Sequence, residues 1–304
     1  MIKRFYSNGK LLITGEYVVL DGAKAFALPT KMGQDLIVSQ TSEINTIVWK
    51  SFDFDQSVWF EANLNTLEIF SQKFKDENEG IAKVLQNILF EAHQLNPIIL
   101  PNKGFLIETN LTFPRFWGLG TSSTLINNIA QWFEIDAFVL LKNSFGGSGY
   151  DIACAQNNSP ILYSIVNEKP VVEPVDFKPN FHKHLYFLYL NKKQNSKAAI
   201  ATYYSKHFDI AKTKTALDSI SKKICKAQDL STFEMLLHEH EALLSDVLEM
   251  ETVKEHYFSD FEGTIKSLGA WGGDFVLVTC STNPQNYFAN KGFTTLLSYH
   301  EMIL

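Results

Sequence analysis

Strand-like and helix-like patterns alternate along the whole chain, and this constrains the fold more than any other feature. Residues 10–20 are β-prone but broken at Gly15-Glu16, which predicts a strand followed by a tight change of direction. From Leu36 to Leu64 the chain reads as strands, with Ile47–Trp49 and Val58–Phe60 flanking a turn-like Asp53–Ser57 as a hairpin. Ile81, Val84, Leu85, Ile88, Leu89, Ala92 and Leu95 recur at helical spacing. Pro97 and Pro101 close that helix, and Gly104–Leu111 resumes as a strand. A further helix opens after Gly118–Ser123, with Leu125, Ile129 and Trp132 on one stripe.

The second half behaves in the same way. Three prolines in 170–180 mark a boundary, and Leu185–Leu190 reads as a buried strand. Helical patterns follow over 197–208, 213–228 and 231–250, the last opening on the capping-box sequence Ser231-Thr-Phe-Glu234. Phe275–Thr279 is a strand, Asn283-Pro284 a turn, then come a short helix and an edge strand at 293–298. Strands and helices interspersed in both halves imply two α+β domains, 1–169 and 170–304.

Composition removes several function classes. The 27 Lys and Arg face 33 Asp and Glu, a net charge of −6 with no basic block, which argues against nucleic-acid binding. The longest uninterrupted apolar run, Leu185–Leu190, is far short of the roughly 20 residues a membrane helix needs. Polar residues from Asn8 to Glu16 interrupt any apolar signal region. Cys154, Cys225 and Cys280 are too widely spaced for a disulfide framework or a metal knuckle. The expectation is a cytoplasmic protein with a small-molecule ligand and no nucleic-acid or membrane partner.

Three segments can carry chemistry. In Gly118-Leu-Gly-Thr-Ser-Ser123 the glycines permit close backbone approach, and the helix N-terminus offers N–H groups and a positive dipole end. Thr121, Ser122 and Ser123 add hydroxyls suited to phosphate oxygens or Mg²⁺; equally, they could only cap the helix. Gly146-Gly-Ser-Gly-Tyr-Asp151 places an aspartate after a glycine turn, as a buried base or as a helix cap, and Tyr150 stands where a nucleophile elbow needs glycine. Gly269-Ala-Trp-Gly-Gly-Asp274 precedes a strand, as a ligand-hugging turn or a plain one. His238 and His240, two apart on a helix, point in opposing directions and cannot share a metal; they read as a solvated face. Asp76–Glu79 reads as a surface loop.

Taken in order, these segments resemble the motifs of the GHMP kinases. Asn8-Gly-Lys-Leu-Leu-Ile-Thr-Gly-Glu-Tyr-Val-Val-Leu-Asp-Gly-Ala resembles their N-terminal motif, and Pro114 through Gly118-Leu119-Gly120-Thr121-Ser122-Ser123 their phosphate loop. Gly147-Ser-Gly-Tyr-Asp151 is similar to the segment bearing the catalytic aspartate, and Gly269–Asp274 to the C-terminal glycine motif. Gly15-Glu-Tyr17 and the Gly-Gly-Asp ending at Asp274 look more like phosphomevalonate kinases, with mevalonate kinases close behind.

The resemblance implies an α+β fold with an N-terminal domain like domain 2 of ribosomal protein S5 and a ferredoxin-like C-terminal domain, ATP and substrate lying between them. It implies Lys10 and Asp151 as a catalytic pair, and Pro114 and Gly118–Ser123 as the ATP loop, with Thr121 or Ser122 on Mg²⁺. It implies Glu16, Tyr17, Ser148, Gly149, Gly272, Gly273 and Asp274 around the acceptor. Lys192 and Lys193, with Lys197, follow the Leu190 strand where an anionic acceptor would suit a helix N-terminus; solvated surface lysines are the alternative.

The chain also departs from the family. The interval from Gly120 to Asp151 is about half that usual in mevalonate kinases, and the stretch bearing the Mg²⁺ glutamate lacks a match, Glu134 being a poor candidate. Trp271 replaces a glycine, and Phe116-Trp117 stand close to the phosphate loop. A kinase of mevalonate or phosphomevalonate is therefore the leading expectation, with a catalytically silent binding module of the same fold as the alternative.

Overall fold

In the computed structural model, which describes residues 2–72, 80–194 and 196–304 apart from the side chains of Ser196 and Lys197, the chain separates into two compact units. One takes Met1–Gly9, Met32–Arg115 and Leu119–Gln156; the other takes Lys10–Lys31, Phe116–Gly118 and Asn157–Leu304. The Asp76–Glu79 patch and the Lys197 side chain lie outside the described residues.

The first unit is a sheet covered by helices. Strand β1 (Ile2–Thr14) begins in it, and β2 (Ala25–Thr41) ends in it. Strands β3 (Thr46–Phe52) and β4 (Val58–Asn65) form the expected antiparallel hairpin. Helices α1 (Thr66–Phe70) and α2 (Ile81–Leu95) follow. Strand β5 (Gly104–Leu111) then lies parallel to β3 and antiparallel to Gln34–Thr41 of β2. The unit closes with α3 (Thr121–Phe133), α4 (Ala137–Ser144) and α5 (Tyr150–Gln156).

Period-two alternation on β3 buries Ile47 and Trp49. Period 3.6 on α2 buries Leu85, Ile88, Leu89 and Ala92, while Ile81 and Val84 of the same pattern stay exposed. These side chains share one core with Ile107, Ile126, Ile129 and Phe133, each fully buried aliphatic or aromatic group contributing roughly 1.5–3 kcal/mol.

In the second unit, Ala25–Ala27 of β2 pair with β6 (Ile161–Val166), which pairs in turn with β7 (Lys169–Pro174). The first half of the proline-bearing stretch 170–180 is an edge strand, where proline costs no ladder bond. A division at 169 and 170 passes through β7, whereas the compact units part after Gln156.

Next come β8 (Leu185–Tyr189), α6 (Ser196–Tyr204), α7 (Ile210–Ile224), α8 (Leu230–Leu248) and α9 (Val253–Tyr257). The chain ends with β9 (Thr264–Leu268), β10 (Phe275–Thr279), α10 (Gln285–Asn290), β11 (Leu296–Ser298) and α11 (Tyr299–Met302). The sheet order β11-β8-β10-β9, with every neighbour antiparallel, is that of a ferredoxin-like domain, and β11 is an edge as expected.

The capping box read at Ser231 does not form. Asp229 caps α8 by accepting from the Thr232 N–H, and Glu234 accepts from the Thr279 hydroxyl. Among the described residues, no helix is long and apolar enough to cross a membrane.

Candidate active site

In the first unit Leu119–Ser123, the later part of the glycine and hydroxyl segment, leads into the start of α3. Gly120 sits at the cap with φ 101°, a left-handed conformation that glycine adopts without steric cost. The first N–H groups of a helix have no partner within it. Thr121 is half-buried and Ser122 exposed, so both hydroxyls lie at that terminus. Ser123 is turned inward instead, and its hydroxyl donates to the Gly120 carbonyl at 2.8 Å.

A buried polar ladder fixes the axis of α3. Asn127 donates to Ser7 Oγ at 2.8 Å, Ser7 donates to Asn128 Oδ1 at 2.7 Å, and Asn128 donates to the Gln34 carbonyl at 3.0 Å. Thr124 completes it with a 2.7 Å bond to Gln34 Oε1. The sequence reading missed these residues. Asn127-Asn128 on an otherwise apolar helix stripe was the available signal.

Asp151 lies in the first turn of α5, half-buried, with Oδ1 accepting the Ile152 N–H at 3.1 Å. The Ala153 N–H returns to the Gly149 carbonyl at 3.0 Å, so Gly149 and not Asp151 stands at the cap. Gly146, Gly147 and Gly149 all have positive φ, which lets the chain turn sharply into α5. Gln156 then ties α5 to α3 through Asn127 Oδ1 at 3.0 Å. The hydroxyls at the α3 terminus and the Asp151 carboxylate are thus both held on mutually bonded helices.

The second unit gathers Lys10, Gly118 and Asp274. Lys10 Nζ donates to the Gly118 carbonyl at 2.9 Å. A Cβ on Gly118 would stand 2.3 Å from Asp274 Cγ, so this position has no room for a side chain. Burial pushes the Asp274 carboxyl above its ordinary range, and the Lys10 charge draws it back. Asp274 itself has φ 50°; its N–H binds the Lys192 carbonyl at 2.7 Å and its Oδ1 accepts the Gln194 N–H at 3.3 Å.

Gln194 also donates to the Trp271 carbonyl at 3.0 Å, over Gly273, where a Cβ would lie 2.1 Å from Gln194 Cγ. Gly272, Gly273 and Asp274 therefore clasp the loop that presents the exposed Lys192 and Lys193. Lys193 sits over the Phe116 ring at 5.7 Å, and Trp117 packs edge-on against Phe275 at 5.4 Å.

Trp271 is buried in a core with Tyr17, Tyr203, Leu217 and Leu244. Its indole N–H donates to the Glu251 carbonyl at 2.9 Å, and its backbone N–H donates to the Tyr17 hydroxyl at 2.7 Å. Burial pushes the Tyr17 hydroxyl up to about 12. Glu16, expected beside the acceptor, is buried and bonded to Lys266. His240, expected on a solvated face, is also buried, because its nitrogen accepts from the Gly15 backbone, while His238 is exposed.

Among the described residues, no group of three His, Cys, Asp or Glu is placed to hold a metal ion. Glu134 ends α3 with its side chain largely exposed and 3.9 Å from Lys3. The oxygens available at the α3 terminus are the Thr121 and Ser122 hydroxyls, a sparse set that suits Mg²⁺, which retains waters and phosphate ligands.

No family model matches the chain, and neither does any curated protein sequence. Solved structures do match. The phosphomevalonate kinase of Streptococcus pneumoniae in complex with phosphomevalonate and AMPPNP superposes with TM-score 0.72 at 14% identity, covering 97% of this chain and 99% of that one. The mevalonate kinase of Methanococcus jannaschii gives 0.69 at 17% identity, covering 96% and 94%. Lactococcus lactis galactokinase complexed with galactose gives 0.68 at 14%, covering 95% and 88%. The expected architecture is therefore present from end to end: the chain has the fold of the GHMP kinases.

Proposed function

We propose that this chain is an ATP-dependent kinase that transfers the γ-phosphoryl group of Mg-ATP to mevalonate or phosphomevalonate. The observation that carries this reading is the N-terminus of α3. On a fold shared with phosphate-transferring enzymes, a left-handed glycine there opens a helix whose first two hydroxyls lie at its tip. Phosphoryl transfer asks little covalent work of a protein and is met mainly by positioning and charge neutralisation. Gly118–Ser122 would receive the phosphates, with Pro114 setting the approach, and Thr121 or Ser122 would reach the Mg²⁺. Residues 1–169 would form the ATP-binding part and 170–304 the remainder.

Asp151 would accept the acceptor's proton or orient its oxygen, with Ser148 and Gly149 beside it. Lys10 would stabilise the charge developing on that oxygen. Lys192 and Lys193 would attract an anionic acceptor, on the loop that Gly272, Gly273 and Asp274 hold. The Gly-Glu-Tyr17 resemblance favours a mevalonate-type acceptor over a sugar, although galactokinase shares the fold.

A coupled ADP-release assay against mevalonate, phosphomevalonate, homoserine and galactose tests this. ADP release dependent on a mevalonate compound is expected. Faster turnover of galactose or homoserine would overturn the acceptor assignment, and absence of ADP release with every acceptor would favour the silent module.

A further inference from the structure

The second unit buries four ionisable side chains that the proposed transfer does not use: Glu16 (1% exposed), His240 (0%), Glu241 (4%) and Lys266 (0%). They come from the turn after β1, from α8 and from β9. Lys266 Nζ donates to Glu16 Oε1 at 2.7 Å and to the Ser267 carbonyl at 2.6 Å, and stands 3.6 Å from Glu241 Oε1. That last distance is an ion-pair separation and not a hydrogen bond, and both Glu241 oxygens lack a hydrogen-bond partner.

His240 Nε2 accepts the Gly15 N–H at 3.0 Å, which assigns the ring proton to Nδ1 and makes the imidazole neutral. The same Nε2 lies 3.1 Å from Glu16 Oε2. One cation against two carboxylates leaves a surplus negative charge in a site without water-facing surface, and such a charge is expensive to keep. A single proton removes it.

We propose that Glu16, His240, Glu241 and Lys266 form a proton-dependent latch that positions the Gly15–Tyr17 turn against the 266–271 segment, closed when Glu241 carries a proton and loosened when it loses it. The turn is held at three points. Gly15 is bonded to His240, Glu16 to Lys266, and Tyr17 Oη to the Trp271 N–H. It directly continues the strand that carries Lys10. The proposal does not depend on the kinase reading, because every contact it uses is internal to this unit.

Other groups packed on α8 leave the assignment intact. On α7 the buried polar groups are Thr213 and Ser221, and Ser221 is bonded to Thr14. On α6, Tyr203 is bonded to Asp21, and burial pushes its hydroxyl upward. Burial raises Glu241 from 4.5 to about 7, whereas the Lys266 charge holds Glu16 below its ordinary value despite its burial. His240 is kept below its ordinary value by burial and by Lys266.

A raised carboxyl binds its proton more tightly folded than unfolded. The Glu241 contribution to stability is therefore complete below 4.5 and lost as pH rises through 7.

The test measures amide exchange protection of Gly15 in the intact chain from pH 6 to 8.5, corrected for intrinsic exchange, in the parent and in Glu241→Gln. The parent should lose protection by about tenfold or more across that range, and Glu241→Gln should hold it level. Protection that stays constant in the parent, or a slope that survives in Glu241→Gln, overturns the latch. Should Glu241→Gln fail to fold, ¹³C-carboxyl titration of the parent decides. A Glu241 signal titrating near neutrality supports the latch, and one titrating in the ordinary carboxylate range refutes it.

Discussion

Two glycine-bearing turns of this molecule, Gly120–Ser122 and Gly269–Asp274, use the same residue type to opposite ends. At Gly120 the left-handed backbone starts a helix and leaves hydroxyls at its tip. At Gly273 the missing side chain makes room for Gln194, and the polar groups of Trp271, with the backbone and Oδ1 of Asp274, are bonded within the protein. Glycine thus marks where backbone is approached closely. Whether the approaching group is a ligand or another part of the chain depends on which polar groups nearby are already satisfied.

This contrast fails most visibly if the first region has no chemistry attached to it. Asp151→Asn and Lys10→Ala should each lower turnover by roughly 10²–10⁴-fold in the ADP-release assay. The double variant should be little worse than either single one, as groups acting on one step are non-additive. Turnover of Asp151→Asn within a few-fold of the parent would remove the general-base role.

The next effect belongs to the second turn. Trp271→Ala should lower stability by about 3–5 kcal/mol in urea unfolding, the usual cost of emptying a large aromatic site. Trp271→Gly, which restores the residue usual in the resembled motif, should destabilise at least as much and bring no gain in ATP affinity. An unchanged unfolding midpoint would mean that the indole is not the packing element its burial implies.

Gly118→Ala sharpens the comparison, since Gly118 is packed by Asp274 in the manner of the second turn. A positive φ and the contact with the carboxylate should together cost roughly 1–3 kcal/mol. Asp274→Ala in the same chain should recover the part due to contact. If the double variant melts no higher than Gly118→Ala alone, backbone strain is the whole cost. Gly120, with φ 101°, carries the same strain, so a β-branched replacement there cannot report on phosphate binding alone.

The smallest effects separate neighbouring hydroxyls. Ser123→Ala should cost about 1 kcal/mol, because it removes an internal hydrogen bond to Gly120. Ser122→Ala should leave the melting temperature alone and raise the apparent KM for Mg-ATP. The reverse pattern would exchange the roles of the two residues.

Much of this was legible in advance where the signal is local. The hairpin around Asp53–Ser57, the helix at 81–95 and the strands at 104–111 and 275–279 follow from side-chain period and turn residues, and each occurs where those patterns end. The helix start after Gly120 was equally readable, because glycine followed by hydroxyl residues is a short-range pattern. Helix α4 and strands β7 and β9 were missed, being short elements in which neighbouring structure outweighs local preference.

By itself the sequence determined the alternation of elements, the class of fold and the positions where backbone must turn or be approached, since these depend on residues within a few positions of one another. Only the tertiary structure decided which polar residues face inward. Glu16 and Lys266 lie 250 positions apart, Tyr17 and Trp271 254, and Ser7 and Asn128 121. A charge or hydroxyl in a sequence carries no mark of the distant partner that will make its burial tolerable. Thus His240 reads as a surface residue and Trp271 as an intrusion into a glycine motif until the chain closes around them.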